Sequence, residues 1–203
     1  MDSTALMLWL TDHNIEFEAV FVDHGGDYPH TYEYIKYLQR EGFEITILKP
    51  HVEGCNTLVE YMRKYNFIPS ARLRWCTDKF KLRPFAAYVE KPCVNYLGIN
   101  YDEKKRVKPN RNKKITNVFP LVENYLGRTS CCKIIEDHNL KVPRKSGCFF
   151  CPFQPRQEVM KLHEEYPELF AVMDELERKN KGNFTFHGPV REIILNKKLT
   201  EYF

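Results

Sequence analysis

The chain has 203 residues, of which 43 % are hydrophobic, and a formal net charge of +4. That is apolar material for one ordinary domain, or one domain with a small appendage. The weakly basic balance suits phosphate-rich ligands without requiring nucleic acid, and no apolar run approaches the ~20 residues of a membrane span.

The first ten residues carry Asp2 and no basic lead, so they do not read as a secretion signal. A cytoplasmic location is expected, in which the seven cysteines are thiols or metal ligands rather than disulfides. Asp2, Ser3 and Thr4 offer N-cap chemistry ahead of the apolar run Ala5–Leu10, which predicts a buried helix ending near His13 and Asn14. Phe17–Val22 reads as a buried strand closed by Asp23, His24, Gly25 and Gly26. Tyr34, Tyr37 and Leu38 recur at helical spacing over Thr31–Arg40, with Gly42 as the stop. Phe43, Ile45 and Ile47 alternate as a strand ended by Pro50.

A short helix is expected over Thr57–Tyr65, and a longer one over Asp78–Lys91 in which Pro84 must lie in the first turn or make a kink. Cys93–Ile99 is a further strand. Residues 100–117 carry Lys104, Lys105, Arg106, Lys108, Arg111, Lys113 and Lys114, and read as a solvated loop or a phosphate-facing one. Gln157–Tyr166 and Glu168–Lys179 are amphipathic helices split at Pro167. Strands alternating with helices predict an α/β fold with a largely parallel sheet, whose ligands sit at the carboxyl ends of the strands. The loop from Asp23 to Thr31 should then face the site.

Cys148-Phe149-Phe150-Cys151-Pro152 is the most informative stretch. Two cysteines three positions apart put two thiolates on one tight turn, as a tetrahedral zinc or an iron–sulfur cluster requires of one segment. Cys132 or its neighbour Cys131 is the candidate third ligand and Cys76 the fourth. A mostly thiolate set fits a [4Fe–4S] cluster or zinc, and the residues alone do not separate the two. Cys55 and Cys93 read as buried thiols. Arg74, Lys79, Lys81 and Arg83 surround Cys76 with positive charge, which should lower its pKa and suits a sulfonucleotide or the triphosphate of ATP.

Four segments, in order, resemble the phosphoadenosine-phosphosulfate (PAPS) reductase family of the adenine-nucleotide α-hydrolase superfamily. Asp23–Thr31 is similar to the family's Asp-Thr-Gly-x-x-x-Pro-Glu-Thr. Arg74–Phe85 is similar to Arg-x-Cys-x-x-x-x-Lys-x-x-Pro. Leu97–Arg106 is similar to Gly-x-Arg-x-x-Glu-x-x-x-Arg, with Asn100 in place of the arginine. Phe119–Pro152 is similar to the cysteine-bearing tail of iron–sulfur or zinc members, and the resemblance to cluster-bearing members tilts the metal site to [4Fe–4S] with zinc as the alternative. The family's opening glycine loop survives only as Asp2-Ser3-Thr4, so the sequence is expected to begin late, past the first strand of that fold.

The resemblance implies a three-layer α/β/α domain over residues 1–155, containing the Cys-x-x-Cys site, and a helical extension over 156–203. It implies an adenine nucleotide held by Asp2, Ser3, Thr4, Asp23, His24, Gly25, Arg74 and Arg106, with Mg²⁺ on the phosphates. Cys76 and Lys81 become the candidate catalytic residues, and Cys76, Cys132, Cys148 and Cys151 the metal ligands. No cysteine follows Cys151 in this sequence, so PAPS reduction by the family's C-terminal sulfonate-attacking thiol is not expected. The leading expectation is an ATP α/β-splitting sulfurtransferase, with a nucleic-acid acceptor or a sulfur-donor protein as partner. The alternatives are a sulfonucleotide reductase or sulfate-adenylating subunit completed by a partner, and a non-catalytic nucleotide- or nucleic-acid-binding module with structural zinc.

Overall fold

Apolar residues on every side of the first helix bury it. In the computed structural model, which describes residues 1–200 and side chains through 196, this helix, α1, spans Asp2–Asp12. Asp2, Ser3 and Thr4 form its first turn rather than a preceding cap. Then follow β1 (Ala19–Val22), α2 (Pro29–Arg40), β2 (Ile45–Leu48) and α3 (Leu58–Tyr65). A single turn, α4 (Trp75–Thr77), runs into a π-helical segment, Asp78–Leu82, and on into α5 (Arg83–Tyr88). The second half holds β3 (Cys93–Tyr96), a 3₁₀ segment (Tyr101–Arg106), β4 (Ile115–Val118), α6 (Pro120–Glu123), α7 (Arg128–Asp137), α8 (Arg156–Glu165), α9 (Pro167–Asn180) and α10 (Val190–Thr200).

Three expectations change. The helix expected over Asp78–Lys91 is broken, because Pro84 lacks an N–H and its ring would strike the carbonyl one turn back. The chain opens that turn by one residue, and Arg83 N–H reaches Asp78 C=O. The charged stretch 100–117 is not all loop. Asn100 Oδ1 accepts from Asp102 N–H at 2.9 Å and starts the 3₁₀ segment, and β4 begins at Ile115. Third, α7 lies where no helix was expected.

The chain is mixed α/β. β1 pairs with β2, and β3 runs parallel to β4 with Cys93 opposite Ile115 and Tyr96 opposite Val118. Among the described residues these are two separate two-stranded sheets. No described helix is long and apolar enough to cross a membrane.

The chain divides into two compact units that interleave in sequence. The first comprises Met1–Val20, His30–Thr46 and Tyr88–Ser146, and the second Phe21–Pro29, Ile47–Ala87 and the chain from Gly147 onward. In the first, Ala5, Leu6, Leu8 and Leu10 of α1 bury against Leu121 and against Cys131 and Ile135 of α7. In the second, Leu58 and Met62 of α3, Trp75, Phe80 and Phe150 share one core with Val159 and Leu162 of α8, Met173 and Leu176 of α9, and Val190 and Ile193 of α10. The helices after residue 156 therefore complete the core around which the cysteine turn is built.

Candidate functional site

The second unit gathers three of the segments singled out in the sequence. After β1, Asp23 Oδ1 accepts from Gly25 N–H at 3.0 Å and turns the chain. Gly25 adopts φ +69°, and a Cβ there would lie 2.5 Å from Thr57 Cγ2, so only glycine fits. The His24 carbonyl accepts from Leu58 N–H at 2.9 Å, which docks the loop on the start of α3. Thr57 caps that helix by accepting from Glu60 N–H at 3.1 Å.

The cysteine turn locks onto the same loop. Asp27 and Cys148 form an antiparallel bridge, Phe149 N–H donates to Gly26 C=O at 3.0 Å, and Tyr28 N–H donates to Gly147 C=O at 3.2 Å. Cys151 N–H closes on Cys148 C=O at 3.1 Å. The result sets Cys148 Sγ 3.4 Å from His24 Nε2, and the same nitrogen 3.4 Å from Asp27 Oδ2. His24 is 0 % exposed and Asp27 8 %. Among the described residues, His24, Asp27 and Cys148 are the one group of three metal-capable side chains whose donor atoms all lie within 4.8 Å of one another.

Burial dominates the electrostatics. It holds the His24 pKa below the usual histidine value, against the pull of Asp27, and Lys81 pushes in the same direction as burial. It drives the Cys148 thiol up to about 12, with Lys81 opposing and Asp27, Cys151 and Cys76 adding to the rise. The charges of Cys76, Cys151 and Lys81 thus reach Cys148, and that of Lys81 reaches His24 as well. Arg74 is anchored beside them: Nη2 donates to Thr77 Oγ1 at 3.3 Å, and the guanidinium lies 5.2 Å from the centre of the Phe153 ring.

The expected lowering of the Cys76 pKa is not found. Burial raises it, outweighing hydrogen bonds from Thr77 and the charge of Arg74. Two of the four expected cations are engaged elsewhere: Lys79 pairs with Glu53 at 2.5 Å and Arg83 with Asp78 at 2.6 Å.

The remaining candidates lie in the first unit. Asp2 Oδ2 accepts from Asn100 Nδ2 at 3.0 Å, while its Oδ1 is buried without a hydrogen-bond partner. Gly98 lets this segment approach α1, since a Cβ there would sit 2.7 Å from Ser3 N and Cα. Ser3 is exposed and Thr4 buried. Arg106 pairs with Glu103 on the surface. Cys132 belongs to α7, its Sγ 3.4 Å from Met1 Sδ, and its neighbour Cys131 is buried with a pKa pushed up to about 11, chiefly by burial. Of the four expected metal ligands, Cys76, Cys148 and Cys151 are therefore brought together in the second unit, and Cys132 is placed in the first. Sequence reasoning missed Asp27. Its signal was the His24-x-x-Asp27 spacing inside a loop already marked as functional.

No family model and no solved structure matches the chain. Among curated proteins it is similar to Uncharacterized protein MJ0066 of Methanocaldococcus jannaschii, 27 % identical over 194 residues that cover 86 % of this chain and 38 % of the relative. It is also similar to Uncharacterized protein MJ0973 of the same organism, 25 % identical over 177 residues that cover 76 % of this chain and 40 % of the relative. The chain spans about two-fifths of the length of these curated relatives.

Proposed function

We propose that this chain is the nucleotide- and metal-handling part of a PAPS reductase-like enzyme with a three-layer α/β/α ancestry, one that splits ATP between its α and β phosphates. An acceptor oxygen attacks the α phosphorus, the α–β bridge breaks and pyrophosphate leaves. A sulfur nucleophile then displaces AMP from the adenylated acceptor. The observation that supports this reading is the meeting, in one unit, of the Asp23–Gly26 loop, the Arg74–Lys81 segment and the Cys148–Cys151 turn, which lie far apart in sequence.

Each residue has a role on this reading. The Asp23–Gly26 loop, at the carboxyl end of β1, faces the ribose or phosphate. Lys81 and Arg74 neutralise charge that grows on the pyrophosphate, where preformed cations contribute most. Cys76 carries the sulfur as a persulfide loaded by a sulfur-donor protein; its terminal sulfur attacks the adenylated acceptor as AMP leaves, and a thiol of the donor then takes Cys76 into a disulfide and releases the thiolated acceptor. Mg²⁺ would supply further charge neutralisation on the phosphates.

The test is to incubate the protein with α-labelled ATP, with and without candidate nucleic-acid acceptors, and to measure AMP and pyrophosphate. Equal release of both, lost in Lys81→Met, is the expected result. Nucleic acid bound with no turnover of nucleotide would overturn it in favour of a binding module. The exposed basic run Lys104–Lys114 favours that second reading.

A further inference from the structure

His24 Nε2 has two polar neighbours, Cys148 Sγ at 3.4 Å, an ordinary length for a hydrogen bond to sulfur, and Asp27 Oδ2 at 3.4 Å, longer than the about 2.7–3.2 Å of a well-formed N–H···O bond. The other ring nitrogen, Nδ1, is buried without a hydrogen-bond partner, so one nitrogen faces two potential ligand atoms at once. That arrangement matches ligand geometry. Four ligands at about 2.0–2.3 Å from a tetrahedral metal stand about 3.3–3.8 Å from one another. The Nε2–Oδ2 and Nε2–Sγ separations, both 3.4 Å, fall on the edges of such a tetrahedron.

The chemistry of the donors agrees. A nitrogen, an oxygen and a sulfur suit a borderline divalent cation, whereas an iron–sulfur cluster is held chiefly by thiolates. The backbone is preset for the site. The Asp27–Cys148 bridge fixes the separation of two ligands, and the Asp23 turn and the contact with α3 fix the third.

We propose that His24 Nε2, Asp27 Oδ2 and Cys148 Sγ hold a zinc-class divalent cation, with one coordination position left open. Three protein ligands and an open position mark catalytic rather than structural zinc. Cys151 then shapes the turn without being a ligand. This inference stands on the donor geometry and is independent of nucleotide turnover.

The test is titration of the full chain, purified without oxygen, with Zn²⁺ and with Co²⁺ as a spectroscopic stand-in. One equivalent should bind, with a near-ultraviolet cobalt–thiolate band of one-sulfur intensity. His24→Gln and Cys148→Ser should weaken Co²⁺ binding by more than the ~100-fold that loss of an outer-shell partner produces. Asp27→Asn should weaken it while leaving the fold intact by circular dichroism, and Cys151→Ser and Cys132→Ser should leave the band unchanged. Iron with acid-labile sulfide, surviving His24→Gln but lost in Cys151→Ser, would overturn the proposal in favour of a thiolate cluster. Failure of the wild-type protein to bind either Zn²⁺ or Co²⁺ would overturn it as well.

Discussion

Gly26→Ala should be among the most damaging single-methyl additions in the second unit, for a reason that can be isolated. A Cβ at this position would stand 2.6 Å from Phe150 Cζ and 2.8 Å from Cε1, where carbon atoms prefer about 3.5–4.0 Å. Roughly 1 Å of movement is needed, and neither side is free to give. Phe150 is fully buried, edge-on to Phe149 at 4.6 Å and tilted against Phe184 at 5.8 Å. Gly26 is tied to the cysteine turn through Phe149 N–H. Overpacking of this kind costs about 1–3 kcal/mol. Phe150→Leu removes the two clashing atoms and on its own should cost about 1–2 kcal/mol, between deletion of one methyl and full truncation. The double variant should therefore be less destabilised than the sum of the two, by about 1–2 kcal/mol. Gly147→Ala is the control: a Cβ there meets nothing within 4 Å, and the change should be neutral or slightly stabilising. The assay is urea unfolding of all four variants and the wild type, read at constant m-value. Additivity of Gly26→Ala and Phe150→Leu to within about 0.5 kcal/mol would refute the reasoning, because the clash would then not be what Gly26 avoids.

Two further expectations concern the cores. Glu177 of α9 is buried and accepts from Phe184 N–H at 2.8 Å and from Val190 N–H at 2.7 Å, so it organises the loop that leads into α10. Glu177→Ala strips both donors and should cost about 2–5 kcal/mol in urea unfolding, and Glu177→Gln, which keeps one acceptor, distinctly less; equal losses would show that the two bonds are not what the carboxylate supplies. In the first unit, His138 Nδ1 faces Ile134 C=O at 2.8 Å and Nε2 faces Asp12 at 3.0 Å, a pair of acceptors that needs both ring nitrogens protonated. The Ile134 carbonyl first, and then Asp12, raise the His138 pKa against the opposing effect of burial. Because the folded value exceeds the unfolded one, this stabilisation is fully present below the ordinary pKa near ~6.5 and is lost as pH rises through the folded value. A partly exposed ion pair at a helix end contributes about 0.3–1 kcal/mol. Stability measured on either side of that window should show the loss in the wild type and not in His138→Gln, and an unchanged pH slope in the variant would count against it.

Much of the secondary structure was legible locally. The all-round apolar face of Ala5–Leu10 forecast the burial of α1, and the short helix expected over Thr57–Tyr65 is α3. The helices over 156–165 and 167–180 followed from their periodicity and from Pro167. Other elements left weaker traces. β4 is four residues inside a strongly charged stretch, too short for its alternation to stand out. The apolar signal of α7 rests on Cys131, Ile134 and Ile135, and the paired cysteines drew attention to ligation rather than to packing. Pro84 was expected in a first turn or at a kink, and only the backbone decided that it would stand in the first turn of α5 behind a widened turn.

The sequence by itself marked residue types able to carry chemistry: the Cys148–Cys151 turn, the glycine loop after β1 and the cations around Cys76. Local composition and spacing suffice for that, because they fix donor types, turns and helix faces. Which of these residues meet was decided only by the tertiary structure. His24 and Cys148 are 124 positions apart and 3.4 Å apart in space, a contact created by one antiparallel bridge and by the shared core of α3, α8, α9 and α10. Lys79 and Arg83, indistinguishable in sequence from Arg74 and Lys81, turn away to Glu53 and Asp78. The net rise of the Cys76 pKa has the same origin, since burial is a property of the packed chain and here it outweighs the neighbouring charge.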